Sequence, residues 1–323
     1  MPNRIVVADR LGKAGLEMLR AMPGYEVVET VGKGPEVLDQ ALGDAVALVV
    51  RSETKVTAAM IGKAPKLKVI ARAGMGTDTI DVEEASRRKI PVLTAPGANS
   101  NSVAEYTFAL LLALCRKVAP AAASLAAGKW DRKAFEGTEL RGKTLGLLGL
   151  GRIGSRVASI SKGFGMTPVG YDPGITAEQA ELLGLDLIPL DVLIQRADVL
   201  TLHVKLSAST KHMIDERRLS LVKKGVLIVN TARGGLIDDA ALAKALADGR
   251  VGGAALDVYD PEPLAADSVL RTAPNVLLTP HLAAVADCGE NARRAVCCRQ
   301  YTEATGGDVL ENPPTQRSTP AAE

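Results

Sequence analysis

Three histidines, an arginine and a glutamate carry the chain's clearest capacity for chemistry. His203 follows the strand-like run Val199 to Leu202, His281 follows Val276 to Leu278 within Thr279-Pro280-His281, and His212 lies in a polar loop. In an open α/β sheet, ligands bind beyond the carboxyl ends of the strands. His203 and His281 therefore stand where an imidazole can work, and His212 reads as a surface residue. Arg233 comes just after the run Val226 to Asn230, in Asn230-Thr231-Ala232-Arg233-Gly234-Gly235, where paired glycines let chain and ligand approach closely. A guanidinium there can fork onto a carboxylate. Glu262 sits in Asp257-Val258-Tyr259-Asp260-Pro261-Glu262-Pro263, and its carboxylate can orient an imidazole and favour the protonated form. Taken singly, each has an ordinary reading: Arg233 as a surface ion pair, Glu262 as a solvated turn charge, His281 as a polar residue leading into a helix. Their shared placement after strand ends makes acid–base work on an anionic substrate the sharper reading.

Gly149-Leu150-Gly151-Arg152-Ile153-Gly154 matches G-x-G-x-x-G, a weak signal alone and a strong one in context. An apolar run, Thr144 to Leu148, leads into it, and Ile153, Val157 and Ile160 open a helix at helical spacing. Gly149 supplies the tight turn, Gly151 lets the backbone approach a pyrophosphate, Gly154 permits close helix packing, and the helix N-terminus offers free N–H groups. The next strand ends at Tyr171-Asp172, where an acid about 20 residues beyond the first glycine accepts hydrogen bonds from adenosine ribose hydroxyls. That carboxylate would repel a 2′-phosphate, and Pro173-Gly174-Ile175-Thr176 brings no Arg or Lys to welcome one. NAD is the expected cofactor and NADP a poor one. Hydride transfer between a nicotinamide and a carbonyl then needs a proton donor working near neutral pH and a cation to hold the anionic substrate.

Two series of elements must position these groups. The first runs Ile5 to Ala8, a helix near Lys13 to Met22, Ala47 to Val50, Thr57 to Ala64, Lys68 to Arg72, Val82 to Lys89 and Val92 to Thr94. A polar stretch, Pro96 to Ser102, then reads as a hinge before a long apolar helix, about Val103 to Lys117, and an Ala-rich segment running to Trp130. The second series starts at Thr144 and alternates strands and helices to Val276 to Leu278, with a final helix expected over about Asn291 to Thr305 and a fraying end. Such alternation implies parallel α/β sheets, doubly wound.

Composition narrows the classes. A length of 323 residues suggests about two domains, and 47% hydrophobic with 24% charged residues excludes disorder for the bulk. Lys and Arg number 39 against 37 Asp and Glu, so no basic field recruits nucleic acid or an anionic membrane. Four cysteines without a C-x-x-C pair, and three histidines, make a metal site improbable and a disulfide scaffold too sparse. A reducing, cytoplasmic setting is expected. The run Phe108 to Cys115, followed by Arg116 and Lys117, falls short of the roughly 20 residues that span a bilayer.

Together these segments resemble the NAD-dependent D-isomer-specific 2-hydroxyacid dehydrogenases, particularly the phosphoglycerate dehydrogenase branch. The likeness also rests on Leu67 to Gly76, Asn99-Ser100 with Ser102 and Ala104-Glu105, and Pro280-His281-Leu282, and runs over about residues 3 to 310. It implies His281 as general acid, Glu262 as its partner and Arg233 as the clamp on the substrate. It further implies Arg152, Ile153, His203, Val204, Thr231, Ala232 and Asp257 beside NAD, backbone amides of Gly74, Met75 and Gly76 on the substrate carboxylate, and Arg51 and Arg72 near a substrate phosphate. Two Rossmann-like domains with a cleft between them are implied, a substrate-binding one of residues 1–97 plus 288–323 and an NAD-binding one of 98–287. A homodimer is implied too, with the segment Pro120 to Trp130 as an arm.

Two departures open alternatives on the substrate. Ala283-Ala284-Val285-Ala286 stands where that branch usually has Gly-Ala-Ser-Thr, and Val204-Lys205 stands where it has Thr-Pro. No additional C-terminal regulatory domain is read in the chain, so feedback through one is not expected. The leading expectation is a D-2-hydroxy acid dehydrogenase acting on 3-phosphoglycerate. A reductase of hydroxypyruvate, glyoxylate or another 2-oxo acid, and an NAD-sensing co-repressor-like binding protein, are the alternatives.

Overall fold

The computed structural model describes residues 2–286 except 75, 96 and 98. They form two compact units, one ending at Asn99 and the other running from Ser100 to Ala286. The expected helix over Asn291 to Thr305, and the site residue Met75, lie outside the described residues.

In the first unit β1 (Asn3–Val7), α1 (Lys13–Arg20), β2 (Tyr25–Glu29), α2 (Pro35–Leu42), β3 (Ala45–Val50), α3 (Ala58–Gly62), β4 (Val69–Arg72), α4 (Val82–Arg87) and β5 (Val92–Thr94) alternate. The strands are parallel in the order β2-β1-β3-β4-β5. Successive strand residues point to opposite faces: Val6, Leu48 and Ile70 enter one core, while Ile5, Val49 and Val69 enter the other. Burial on both faces is why β3 reads as an unbroken apolar run. Side-chain caps start two of the helices, Thr57 accepting from Met60 N–H and Asp81 from Glu84 N–H.

The second unit opens with α5 (Ser100–Cys115) and α6 (Val118–Ala126). There follow β6 (Thr144–Leu148), α7 (Arg152–Gly163), β7 (Thr167–Tyr171), α8 (Ala177–Leu182), β8 (Asp186–Leu187), α9 (Leu190–Arg196) and β9 (Val199–Leu202). Then come α10 (Glu216–Leu221), β10 (Val226–Asn230), α11 (Asp239–Ala247), β11 (Val251–Leu256) and β12 (Val276–Leu278). All seven strands are parallel, in the order β12-β11-β10-β9-β6-β7-β8. The chain reverses its winding between β6 and β9, which opens a crevice at their carboxyl ends. Leu148, Leu200 and Ile228 pack into the core on one face, and Leu147, Val199 and Val229 into that on the other.

The long apolar helix expected over about Val103 to Lys117 is present as α5, and the Ala-rich segment after it forms α6. Lys117 takes a left-handed φ of 52°, which ends α5, and α6 departs at 61°. Its inward side, including Val103, Phe108 and Leu111, is buried, with α5 lying against α7, β10 and β11. Among the described residues no single helix is long and apolar enough to cross a membrane, although this bent pair has the length and composition.

Candidate active site

The turn between β6 and α7 divides the glycine motif by cause. Gly149 has φ +95°, and a Cβ there would sit 2.8 Å from the His203 carbonyl and 2.9 Å from Val204 Cγ1. A Cβ on Gly154 would collide with the Gly149 carbonyl oxygen. At Gly151 a Cβ would meet nothing within 4 Å. The fold thus demands the first and third glycines, while the second leaves space for a ligand. Gly151 is also the N-cap of α7 and no side chain caps it, so the first amides face outward as an anion site. These residues fit a dinucleotide pyrophosphate. Gly151→Ala is expected to keep the wild-type Tm and weaken NADH binding about tenfold, the loss of one charge-assisted hydrogen bond. Gly154→Ala should lower Tm through overpacking worth about 1–3 kcal/mol. Calorimetry and NADH titration check both, and equal Tm losses in the two variants would refute this division.

Asp172, at the end of β7, accepts the Leu150 N–H at Oδ2 and the Gly174 N–H at Oδ1, both at 2.8 Å. The carboxylate so fixed sits beside the turn, where its remaining lone pairs can meet a ribose. His203 Nε2 lies 2.9 Å from Thr201 Oγ1, and desolvation pushes the imidazole down to about 3, although an edge still reaches the surface. It is therefore neutral near pH 7 and unfit as a proton donor. His212 is exposed at a φ of 50°, as the sequence suggested.

After β10, Asn230 organises the arginine loop. Its Oδ1 accepts from Ala232 N–H (3.0 Å), and its Nδ2 donates to the Arg233 carbonyl (2.8 Å). Arg233 Nη1 donates to the Ala232 carbonyl at 2.6 Å. The Thr231 hydroxyl lies 2.8 Å from that of Thr107, which itself donates to the Val103 carbonyl. Thr231 thus has its hydroxyl engaged inside the protein.

His281 Nδ1 lies 2.8 Å from Glu262 Oε2. A carboxylate only accepts, so Nδ1 carries the proton and Nε2 is left to give or take another. Burial tends to raise Glu262, but the hydrogen bond and charge of His281, the Tyr259 N–H and the Arg233 charge together hold its carboxyl below the usual range. His281 adopts φ 54°, left-handed and uncommon outside glycine. Asp257 helps to hold it there. Its fully buried carboxylate accepts from the Thr279 hydroxyl (2.6 Å), Leu282 N–H (2.8 Å) and Ala283 N–H (2.7 Å). The carboxylate of Asp257 is thereby tied to the segment that bears His281.

In the first unit Arg51 stands at the end of β3 and donates from Nη1 to the Arg10 carbonyl at 3.2 Å. Its loop is held by buried Asp9, which accepts from the N–H groups of Arg51 (2.5 Å) and Thr54 (3.2 Å) and from the Thr54 hydroxyl. Arg72 is only 8% exposed and donates from Nε to the Gly76 carbonyl at 2.8 Å, beneath Gly74. The geometry makes Arg72 a brace for the glycine loop. No cluster able to hold a metal ion occurs among the described residues. Sequence reading missed Asn230, Asp9 and Tyr259 as organisers. Only Asn230 carried a local signal, an Asn ahead of a Gly-rich turn.

A cradle for a dinucleotide and, at the ends of β10, β11 and β12, a cation and an imidazole–carboxylate pair can together support hydride transfer with proton relay. The family model described as D-isomer specific 2-hydroxyacid dehydrogenase, NAD binding domain, matches residues 108–283. The D-3-phosphoglycerate dehydrogenase of Methanocaldococcus jannaschii is 46% identical over 310 residues, 96% of this chain and 59% of that one. The chain thus spans a little over half the length of that relative. A crystal structure from Thermus thermophilus matches with a TM-score of 0.87 and 35% identity, covering 96% of this chain and 99% of the other. D-lactate dehydrogenase from Aquifex aeolicus, solved with NAD and lactic acid, matches with a TM-score of 0.80 and 31% identity over 93% and 95% of the two chains. With the glycine motif and the His281–Glu262 pair both inside the matched domain, the chain belongs to the D-isomer specific 2-hydroxyacid dehydrogenase family.

Proposed function

We propose that the chain interconverts a D-2-hydroxy acid and its 2-oxo acid, with 3-phosphoglycerate as the hydroxy acid. The observation that carries this reading is the His281–Glu262 pair, with its free Nε2, at the same carboxyl end of the sheet as the glycine-rich turn. Bound NAD supplies the hydride acceptor and NADH the donor. Gly149, Gly151, Arg152, Ile153 and Gly154 hold the pyrophosphate through the start of α7, Asp172 takes the ribose, and His203 and Val204 wall the turn. Thr231 and Ala232 contribute backbone, and Asp257 lies beside NAD while its carboxylate holds the His281 segment. His281 protonates the carbonyl oxygen in reduction and removes the hydroxyl proton in oxidation, Glu262 steadies the imidazolium, and Arg233 forks onto the substrate. In the first unit Arg51 and Arg72 serve the substrate phosphate and the backbone amides of Gly74, Met75 and Gly76 its carboxylate, with Arg72 Nε also donating to the Gly76 carbonyl. The named activity of the archaeal relative supports the phosphorylated substrate.

The division into residues 1–97 plus 288–323 and 98–287 belongs to this reading, supported by the break between Asn99 and Ser100. So does a homodimer, supported by the apolar surface of α6, where Val118 is 53% and Leu125 57% exposed. A cytoplasmic setting accords with the sparse cysteines.

One NADH-oxidation screen tests the proposal on a preparation whose mass is read by light scattering. Phosphohydroxypyruvate should exceed hydroxypyruvate and glyoxylate in kcat/KM by about tenfold or more, the worth of one charge-assisted contact. Equal or better turnover of the short acids would replace the phosphorylated substrate, a monomer would remove the dimer, and tight NADH binding with no turnover would overturn the enzymatic reading.

A further inference from the structure

Tyr259 lies past the end of β11 and is only 9% exposed despite its hydroxyl. A buried phenol needs partners, and this one sits 2.8 Å from the Leu256 carbonyl and 2.9 Å from the Thr279 carbonyl. The Thr279 carbonyl also accepts the N–H of His281, at 3.0 Å, and so belongs to the tight turn that gives His281 its left-handed backbone. The Tyr259 N–H donates to Glu262 Oε1 at 3.1 Å, on the carboxylate whose other oxygen meets His281. A Cβ on Gly234 would run into the Tyr259 carbonyl group, so the backbone beside Arg233 rests directly on this residue.

We infer that Tyr259 is a positioning residue that keeps His281, Glu262 and the Arg233 loop in one register. The side chain fixes the turn before the imidazole, the backbone N–H fixes the carboxylate, and the carbonyl seats the arginine loop. Asp257 holds the His281 segment from its far side, through Leu282 and Ala283, so the two residues grip the strained turn at both ends. Burial pushes the phenol up to about 12, with Asp257 and Glu262 acting in the same direction and the Thr279 carbonyl and Arg271 opposing. The hydroxyl therefore stays a donor wherever an imidazole titrates. The inference rests on the proposed catalytic roles of His281, Glu262 and Arg233.

Tyr259→Phe tests it, because the ring and the backbone N–H remain and only the hydroxyl goes. The chain holds three histidines, so NMR can follow the His281 ring directly, with His281→Asn assigning the signal. In Tyr259→Phe the titration midpoint of that ring should move to lower pH, because a loosened carboxylate favours the imidazolium less. The kcat for 2-oxo-acid reduction should fall about tenfold, as for one impaired charged hydrogen bond, with the Kd of NADH unchanged. In a Glu262→Gln background the same substitution should leave the midpoint where Glu262→Gln put it. A lowered Tm with midpoint and kcat unmoved would reduce Tyr259 to packing and overturn the inference. A wild-type protein without turnover would instead strike the activity, while the NMR midpoint still decides the role of Tyr259.

Discussion

His281→Asn should fold, bind NADH with wild-type affinity and lose about 10²- to 10⁴-fold in kcat, the range for removing a general acid–base group. Asparagine tolerates the left-handed backbone that His281 adopts at φ 54°, and its amide can still donate toward Glu262. What vanishes is the proton on Nε2. His203 cannot substitute, because its imidazole is held down to about 3. With His281 in place, the two directions of the reaction should show opposite pH limbs. Reduction needs the imidazolium and fails as pH rises through the His281 titration, while oxidation needs the neutral ring and fails as pH falls through it. Glu262, with its carboxyl held below the usual range, stays ionised at neutral pH. Its support is complete above the unfolded carboxyl value and is lost only as pH falls through the lowered folded value. Near-normal turnover of His281→Asn, measured in steady state, would move the proton donor elsewhere.

Arg233→Lys should cost about 10²- to 10³-fold in kcat/KM for the 2-oxo acid and leave NADH binding unchanged. An ammonium is a point charge on a flexible stem and cannot reproduce two parallel N–H bonds to a carboxylate. The loop itself should survive, because Asn230 holds it through the Ala232 N–H and the carbonyl of residue 233, both backbone groups. Retained kcat/KM would release Arg233 from the clamp role.

The glycine motif, Asp172 and the trio Arg233, Glu262 and His281 were legible because each follows a strand whose apolar run announces itself. Strands buried on both faces, such as β3 and β10, lack the alternation that blurs into loops. β2 escaped because Tyr25–Glu29 is an edge strand with glutamates at positions 26 and 29 and no clean run. β8 is two residues long, too short for an alternation to show. The contacts of Asp257 with the His281 segment were hidden for another reason. Its partners Thr279, Leu282 and Ala283 lie 22 to 26 residues away, and only the pairing of β11 with β12 brings them together. The bond from Arg72 to the Gly76 carbonyl was hidden likewise, since a strand-end arginine looks the same in sequence whether it faces solvent or turns under its own loop.

The carboxylate of Asp172 has a consequence for anyone wishing to switch the coenzyme. Trading it for a smaller neutral group would make room for an extra phosphate, but it would also strand the amide of Leu150, which ties the cradle to the end of β7. If the proposed ribose contact holds, selectivity and shape are fastened by the same carboxylate, and a successful redesign must bring a replacement acceptor for that amide along with its new cation.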